Sequence, residues 1–148
     1  MFKISAHICE MLNGKEIQFE RIEMFNRERI LERVLNKFCK NFDGNWIWEQ
    51  LKQYSTLSDD LAWEYLKDFI GENECIMFFN QNEEKEMFLI HSGNDLNIIL
   101  TETCGFEFYI TDKECTYLLA YNHHDILYGC GTAIDWMEKS FHAALKRS

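Results

Sequence analysis

The segment Asn122–Asp125, which reads Asn-His-His-Asp, carries the side chains best suited to chemistry in this sequence. Imidazole and carboxylate groups bind metals and act as general acids and bases near neutral pH. Adjacent residues of a strand point to opposite faces, so His123 and His124 could share one metal only at a sharp turn. The remaining histidines are isolated in the sequence and show no ligand spacing.

Two interpretations of this segment are open. In the first, Asn122 and Asp125 bond to backbone groups in a turn, while His123 and His124 pack or bind a partner. In the second, Asn122–Asp125 is the site of a small metal-binding domain or a metal-dependent enzyme. We adopt the first, under which the protein is not an enzyme and has no catalytic residue, metal or other cofactor.

Six cysteines are distributed along the chain, and none forms a Cys-x-x-Cys pair. Zinc ribbons and thioredoxin-type sites need such pairs. Most of the six lie beside apolar residues, as in Phe38-Cys39 and Cys75-Ile76. The N-terminus shows no basic region followed by a long apolar stretch, so nothing indicates secretion into an oxidising compartment. The sequence therefore predicts buried, reduced thiols in a cytoplasmic protein.

The formal net charge of −10 over 148 residues limits the classes of partner. A protein this acidic repels phosphates, which argues against nucleic-acid binding. No apolar run approaches the roughly 20 residues of a membrane-spanning helix, so we expect no membrane partner. Apolar residues make up 47% of the chain, enough for a folded core without disulfides or metals.

Residues 59–86, the acidic block, hold nine acidic and two basic side chains, a net charge of −7. One interpretation is a solvated face that keeps the protein soluble. The other is a docking surface for a basic partner, with association that is fast at low salt and slowed by salt. The acidic residues predicted to bind this partner are Asp59, Asp60, Glu64, Asp68, Glu83 and Glu84.

Spacing within the acidic block indicates how such a surface would be built. A helix is predicted over its first half, and Asp60, Glu64 and Asp68 would share one face of it. Trp63 and Tyr65 lie off the apolar stripe of that helix. We therefore expect one of the two to be an exposed interface anchor.

Apolar periodicity and glycine positions predict an α+β fold. An antiparallel sheet of about four to five strands should pack with N-terminal helices and a C-terminal helix, in a single domain over residues 1–148. Asn13-Gly14 ends the first helix or, alternatively, forms a hairpin turn; we favour the helix. The predicted helices cover about 4–12, 27–41 with Asn26 as N-cap, 46–53, 59–70, 95–104 and 132–146, and the strands about 75–79, 87–90, 106–111, 116–121 and, as an optional fifth, 126–128.

Several segments also resemble a known class of protein. They are Phe106–Asp112, Tyr117–Leu127 with its Asn-His-His-Asp, Gly131, Trp136 and the earlier Trp46–Lys52. Together they resemble small bacterial α+β proteins, among them immunity proteins encoded beside polymorphic or contact-dependent toxins. The resemblance implies a cytoplasmic inhibitor that neutralises a cognate toxin domain by tight protein–protein binding. Many such toxin domains are basic nucleases, which an acidic surface could cover.

Overall fold

The computed structural model describes residues 3–17, 19–41, 44, 46–103 and 105–147. Within them, five helices accompany an eight-stranded sheet in which each pair of neighbouring strands is antiparallel, which confirms the α+β class. The helices are α1 Ile4–Met11, α2 Met24–Phe38, α3 Leu66–Ile70, α4 Gly93–Thr103 and α5 Thr132–Phe141, with 3-10 turns at Ile47–Glu49 and Ala62–Tyr65. The strands are β1 Phe19–Arg21, β2 Gln53–Ser58, β3 Cys75–Phe78, β4 Phe88–Ile90, β5 Phe108–Thr111, β6 Tyr117–Tyr121, β7 Ile126–Gly131 and β8 Lys146–Arg147, in the order β1-β4-β3-β5-β6-β7-β2-β8.

The central strands are buried on both faces. In β3, Cys75 and Met77 belong to one core, and Ile76 and Phe78 belong to the other. The first core includes residues of α1, α3, α4 and α5, and the second includes residues of α2 together with Cys39, Ile47 and Leu51. A strand covered on both sides loses the apolar–polar alternation of a half-exposed strand and becomes a continuous apolar run. This is why β3 and β6 were predictable as strands.

The sheet has more strands than the four to five predicted, because β1, β2 and β8 were not recognised from the sequence. The helix predicted over 46–53 is wrong: only a 3-10 turn forms at Ile47–Glu49, and β2 begins at Gln53. β2 is held by β7, in a register that runs from Ser55 opposite Gly129 to Ser58 opposite Ile126. The extended conformation of β2 depends on its pairing with a strand that is distant in the sequence. The apolar pattern of the segment itself therefore does not indicate a strand.

Two helices have boundaries that differ from the predicted ones, α2 at its start and α5 at its end. α2 begins at Met24, so Asn26 lies inside the helix and is not its N-cap. α5 ends at Phe141 and does not continue to about residue 146, because His142 adopts a left-handed φ of 56°. A residue in this conformation stops a helix as a glycine commonly does. No helix in the described part of the chain has the length and apolarity needed to cross a membrane.

The thiols lie mostly in the cores. Cys39, Cys75, Cys115 and Cys130 are buried and free, as predicted, whereas Cys9 is half-buried; Cys104 lies outside the described residues. Burial raises the pKa of Cys39 to about 11 and that of Cys75 to about 12. Both thiols are therefore neutral at physiological pH and poor nucleophiles.

Candidate binding cleft

A cleft of about 810 Å³ opens where β3 and β6 end and β5 begins. This volume is in the range of ligand pockets, about 300–1,000 Å³. Within the described residues, four carboxylates and one imidazole line the cleft, and no Lys or Arg does. The charged and aromatic residues of the lining include Asp60, Glu83, Glu107, Asp125, His123, Trp46 and Trp63.

Glu107 is buried in the cleft wall and held by three N–H donors. Its Oε2 accepts one hydrogen bond from the main-chain N–H of His123 at 2.8 Å and pairs with the Nδ1 of the same residue at 2.5 Å. Its Oε1 accepts a bond from the Nδ2 of Asn80 at 2.7 Å. The Oδ1 of Asn80 accepts a bond from the hydroxyl of Tyr109 at 2.6 Å. This chain of bonds ties the cleft wall to the second core.

The ionised carboxylate of Glu107 determines that the Nδ1 of the His123 imidazole carries a proton. Burial alone would raise the pKa of the Glu107 carboxyl, but the bonds from His123 and Asn80 outweigh burial and lower that pKa. An ionised carboxylate only accepts hydrogen bonds, so the Nδ1 of His123 must carry a proton. In a neutral ring, Nε2 is then an acceptor. The side chain of His123 is 52% exposed, which leaves the ring accessible to a partner.

The segment Asn122–Asp125 forms a tight turn between β6 and β7. The Oδ1 of Asn122 accepts bonds from the main-chain N–H groups of His124 and Ile126, at 3.0 and 3.1 Å. Asp125 has a left-handed φ of 59°, and its Oδ1 accepts a bond from the hydroxyl of Tyr121 at 3.0 Å. The role expected of Asn122 is therefore confirmed, whereas within the described residues the side chain of Asp125 bonds to a phenol and not to the backbone.

Aromatic rings surround the two histidines. Trp46 stacks on Trp48 with ring centroids 5.8 Å apart and an angle of 20° between the planes. The centroid of Trp48 lies 6.0 Å from that of His123, 6.3 Å from that of His124 and 5.8 Å from that of Tyr128. These contacts hold the imidazole of His123 in the lining of the cleft, whereas His124 packs on Trp48 outside the lining. The sequence could not show that Trp46, 40% exposed, would belong to the same site as the Asn-His-His-Asp segment.

Four of the residues predicted to bind a partner line the cleft together: Asp60, Trp63, Glu83 and His123. They come from three separate parts of the chain, which meet where the central strands β3 and β6 end and β5 begins. His124 is not part of the lining and packs on Trp48.

Glu64 and Asp68 are exposed and lie outside the lining of the cleft. The expectation that they share one α-helical face with Asp60 is wrong. Asp60 precedes the 3-10 turn Ala62–Tyr65, which holds Glu64, and only Asp68 lies in the five-residue helix α3. The four-residue spacing therefore does not run along one continuous α-helix.

Three further predicted residues have structural partners. Asp59 accepts a bond from the main-chain N–H two residues later at 2.9 Å. The ring of Tyr65 packs on that of Phe141, with centroids 5.1 Å apart. Glu84 accepts a bond at 2.9 Å from the main-chain N–H of Ser5, in the first turn of α1. Their part in partner binding stays a prediction.

Glu107 is the residue of the cleft that sequence reasoning missed. It stands between Phe106 and Phe108 in a segment predicted to be a strand. A charged residue flanked by aromatics in a strand that is otherwise apolar is a usable signal, because a buried carboxylate requires partners. Asn80, its other partner, follows the apolar run of β3 and gave no comparable signal.

The turn is as sharp as a shared metal would require, since the ring centroids of His123 and His124 are 3.9 Å apart. A metal site needs further ligands, however. In the part of the chain that the structure describes, no group of three or more His, Cys, Asp or Glu side chains could hold a metal ion. The Nδ1 of His123 is in addition bonded to Glu107.

Comparison with known proteins places the chain in a family without giving it a function. Residues 3–141 match the model of DUF6756, described as a family of unknown function. Neither a curated protein nor a solved structure matches the chain.

Proposed function

We propose that this chain, which belongs to the DUF6756 family, is a binding protein that neutralises a basic protein partner with the cleft end of its sheet. One observation carries the proposal: four carboxylates line the cleft, and no Lys or Arg does among the described residues. Carboxylates in a concave site with walls of low dielectric concentrate a negative potential. A positively charged surface is the complementary partner.

The acidic block extends this potential beyond the cleft. Asp60 and Glu83 belong to both, and the block as a whole has a net charge of −7. A field of this extent acts before contact, because it steers a basic partner during diffusion and raises the association rate. Glu64 and Asp68, exposed outside the cleft, would contribute to steering but not to the contact inside it.

The partner that we propose is a bacterial toxin domain, for which this chain is the immunity protein. The support is the resemblance of the segments Trp46–Lys52 and Phe106–Trp136 to immunity proteins. In this proposal the chain acts in the cytoplasm of the producing cell, with no cofactor and no catalytic step. Four buried, free thiols are compatible with such a reducing compartment.

A growth assay tests this proposal. Under this proposal, the adjacent upstream gene should encode a large secreted protein with a variable C-terminal domain, and cells express that C-terminal domain with or without the chain itself. We expect the chain to restore growth and Asp60→Lys combined with Glu83→Lys to lose protection. Glu64→Lys combined with Asp68→Lys is the matched control, since it makes the same change in charge outside the cleft. Failure of the unaltered chain to protect, or full protection by a folded cleft variant, would contradict the proposal.

A second candidate is acid–base or metal-dependent catalysis at Asn122–Asp125, and the Glu107–His123 pair favours it. A carboxylate that fixes one imidazole nitrogen leaves the other able to accept or release a proton. Elemental analysis of the purified protein separates the candidates. Stoichiometric zinc or iron that is lost in His123→Ala or His124→Ala would favour the metal site, and we expect none.

A further inference from the structure

We infer that the cleft binds the guanidinium group of an arginine side chain that the partner presents. This inference rests on the proposed function, which requires a basic partner, and it adds the chemical group that the cleft selects. Two features meet in the cleft and point to this group: two carboxylates that form no ion pair within the described residues, and two indole rings.

Two of the four carboxylates that line the cleft, those of Asp60 and Glu83, are available to an incoming cation. The carboxylates of Asp60 and Glu83 form no hydrogen bond or ion pair within the described residues. A guanidinium group has five N–H donors in one plane and no acceptor, so its hydrogen-bonding capacity is complementary to this set.

The indole rings add a surface for a flat cation. Trp46 is supported by its stacking on Trp48, and Trp63 packs against the first core, so both rings are held in place. Aromatic faces attract cations. A planar guanidinium can stack on an indole while the N–H groups at its edge still bond to carboxylates.

Lysine fits this combination less well. Its ammonium group is compact and strongly hydrated, so it cannot stack in the same manner, and moving it out of water costs more. Carboxylates alone already favour the planar fork of arginine, which can bond to both oxygens of one carboxylate, and the indole rings add to this preference. Trp46 and Trp63 in the lining therefore strengthen the preference for arginine.

Titration of the purified chain with N-acetylarginine amide, followed by tryptophan fluorescence, tests the inference. Trp46 and Trp63 line the cleft, so occupancy should change their emission. We expect saturable binding of the arginine derivative and binding of N-acetyllysine amide that is weaker by about fivefold or more. N-acetylcitrulline amide, which keeps the shape of arginine without its charge, should not bind.

Paired variants locate the binding. Asp60→Asn combined with Glu83→Gln should weaken arginine binding by about tenfold, because charge-assisted hydrogen bonds are lost. Glu64→Gln combined with Asp68→Asn removes the same charge outside the cleft and should weaken it by less than about twofold. Three results would overturn the inference: equal binding of the arginine and citrulline derivatives, equal loss in both double variants, or no saturation up to about 50 mM.

These outcomes are separate from those of the growth assay. Protection of cells without arginine binding would overturn the inference and leave neutralisation in place. Arginine binding without protection would support the inference and contradict neutralisation.

Discussion

Replacement of Glu107 by Gln should destabilise the protein, because the carboxylate organises one wall of the cleft. Its two oxygens accept bonds from His123 at 2.8 and 2.5 Å and from Asn80 at 2.7 Å. A glutamine offers one oxygen and one NH₂ group, so at least one N–H donor would face another donor. A lost bond to a charged group is worth about 1.5–3 kcal/mol, and an unpaired buried donor costs about 1–3 kcal/mol. We expect the free energy of unfolding at pH 7 to fall by about 3 kcal/mol.

The pH dependence of this fall in the free energy of unfolding tests whether the ionised carboxylate of Glu107 is its cause. Burial raises the pKa of Glu107, but the hydrogen bonds from His123 and Asn80 lower it further than burial raises it. A group whose pKa is lower in the folded state stabilises the fold above its unfolded pKa, about 4.3 for Glu, and this stabilisation is lost as the pH falls through the folded pKa. The stability difference between the unaltered protein and Glu107→Gln should therefore be largest near neutrality and shrink below about pH 4.

Urea denaturation, followed by circular dichroism at several values between about pH 7 and pH 3, measures this difference. Glu84 also has a lowered pKa, since bonds from Ser5 outweigh the effect of its burial, but it is present in both proteins and cancels. Glu138→Gln, at an exposed position of α5, is the matched control and should change stability by less than about 0.5 kcal/mol. A loss for Glu107→Gln that is equally small, or that does not vary with pH, would refute the reasoning.

Three other changes have expected outcomes. Gly131→Ala should lower the free energy of unfolding by about 2 kcal/mol or more, because Gly131 has a φ of 63° and a Cβ there would collide with the carbonyl oxygen of Thr116; thermal melting checks this. Asn122→Ala should cost about 1–2 kcal/mol in a denaturant titration, since two main-chain N–H groups lose their acceptor. Binding of the partner should be equal with and without reductant, because the described cysteines are free; loss of binding on mild reduction would reveal a functional disulfide.

The sequence predicted an element correctly where its apolar pattern matches the burial of that element in the fold. β3 and β6 are covered on both faces, so their apolar runs indicated strands. β2 has a polar sequence and is held by β7, and β8 consists of two charged residues at the edge of the sheet. The number of strands and the helix predicted at 46–53 were wrong for this reason, because strand pairing across about 70 residues leaves no local periodic signal.

The site was predictable in part. Residue type and charge pointed to Asp60, Glu83 and His123, but nothing in the sequence placed them around one cleft. The tertiary fold does so by bringing the loop after β3, the β6–β7 turn and the residues before α3 together at one end of the central strands. Glu107 was missed although its position between two aromatic residues of a predicted strand is a usable signal; only the fold shows that Asn80 and His123 are its partners.

Stopped-flow measurement of the association rate between this chain and the proposed toxin domain, at low and high salt, tests neutralisation through the cleft. Asp60→Lys combined with Glu83→Lys should slow association about tenfold or more at low salt and less at high salt, within the range that electrostatic steering supplies. Glu64→Lys combined with Asp68→Lys should slow association as well but leave the dissociation rate unchanged, since these residues lie outside the cleft. Unchanged association and dissociation rates in the folded cleft variant would contradict binding at this site.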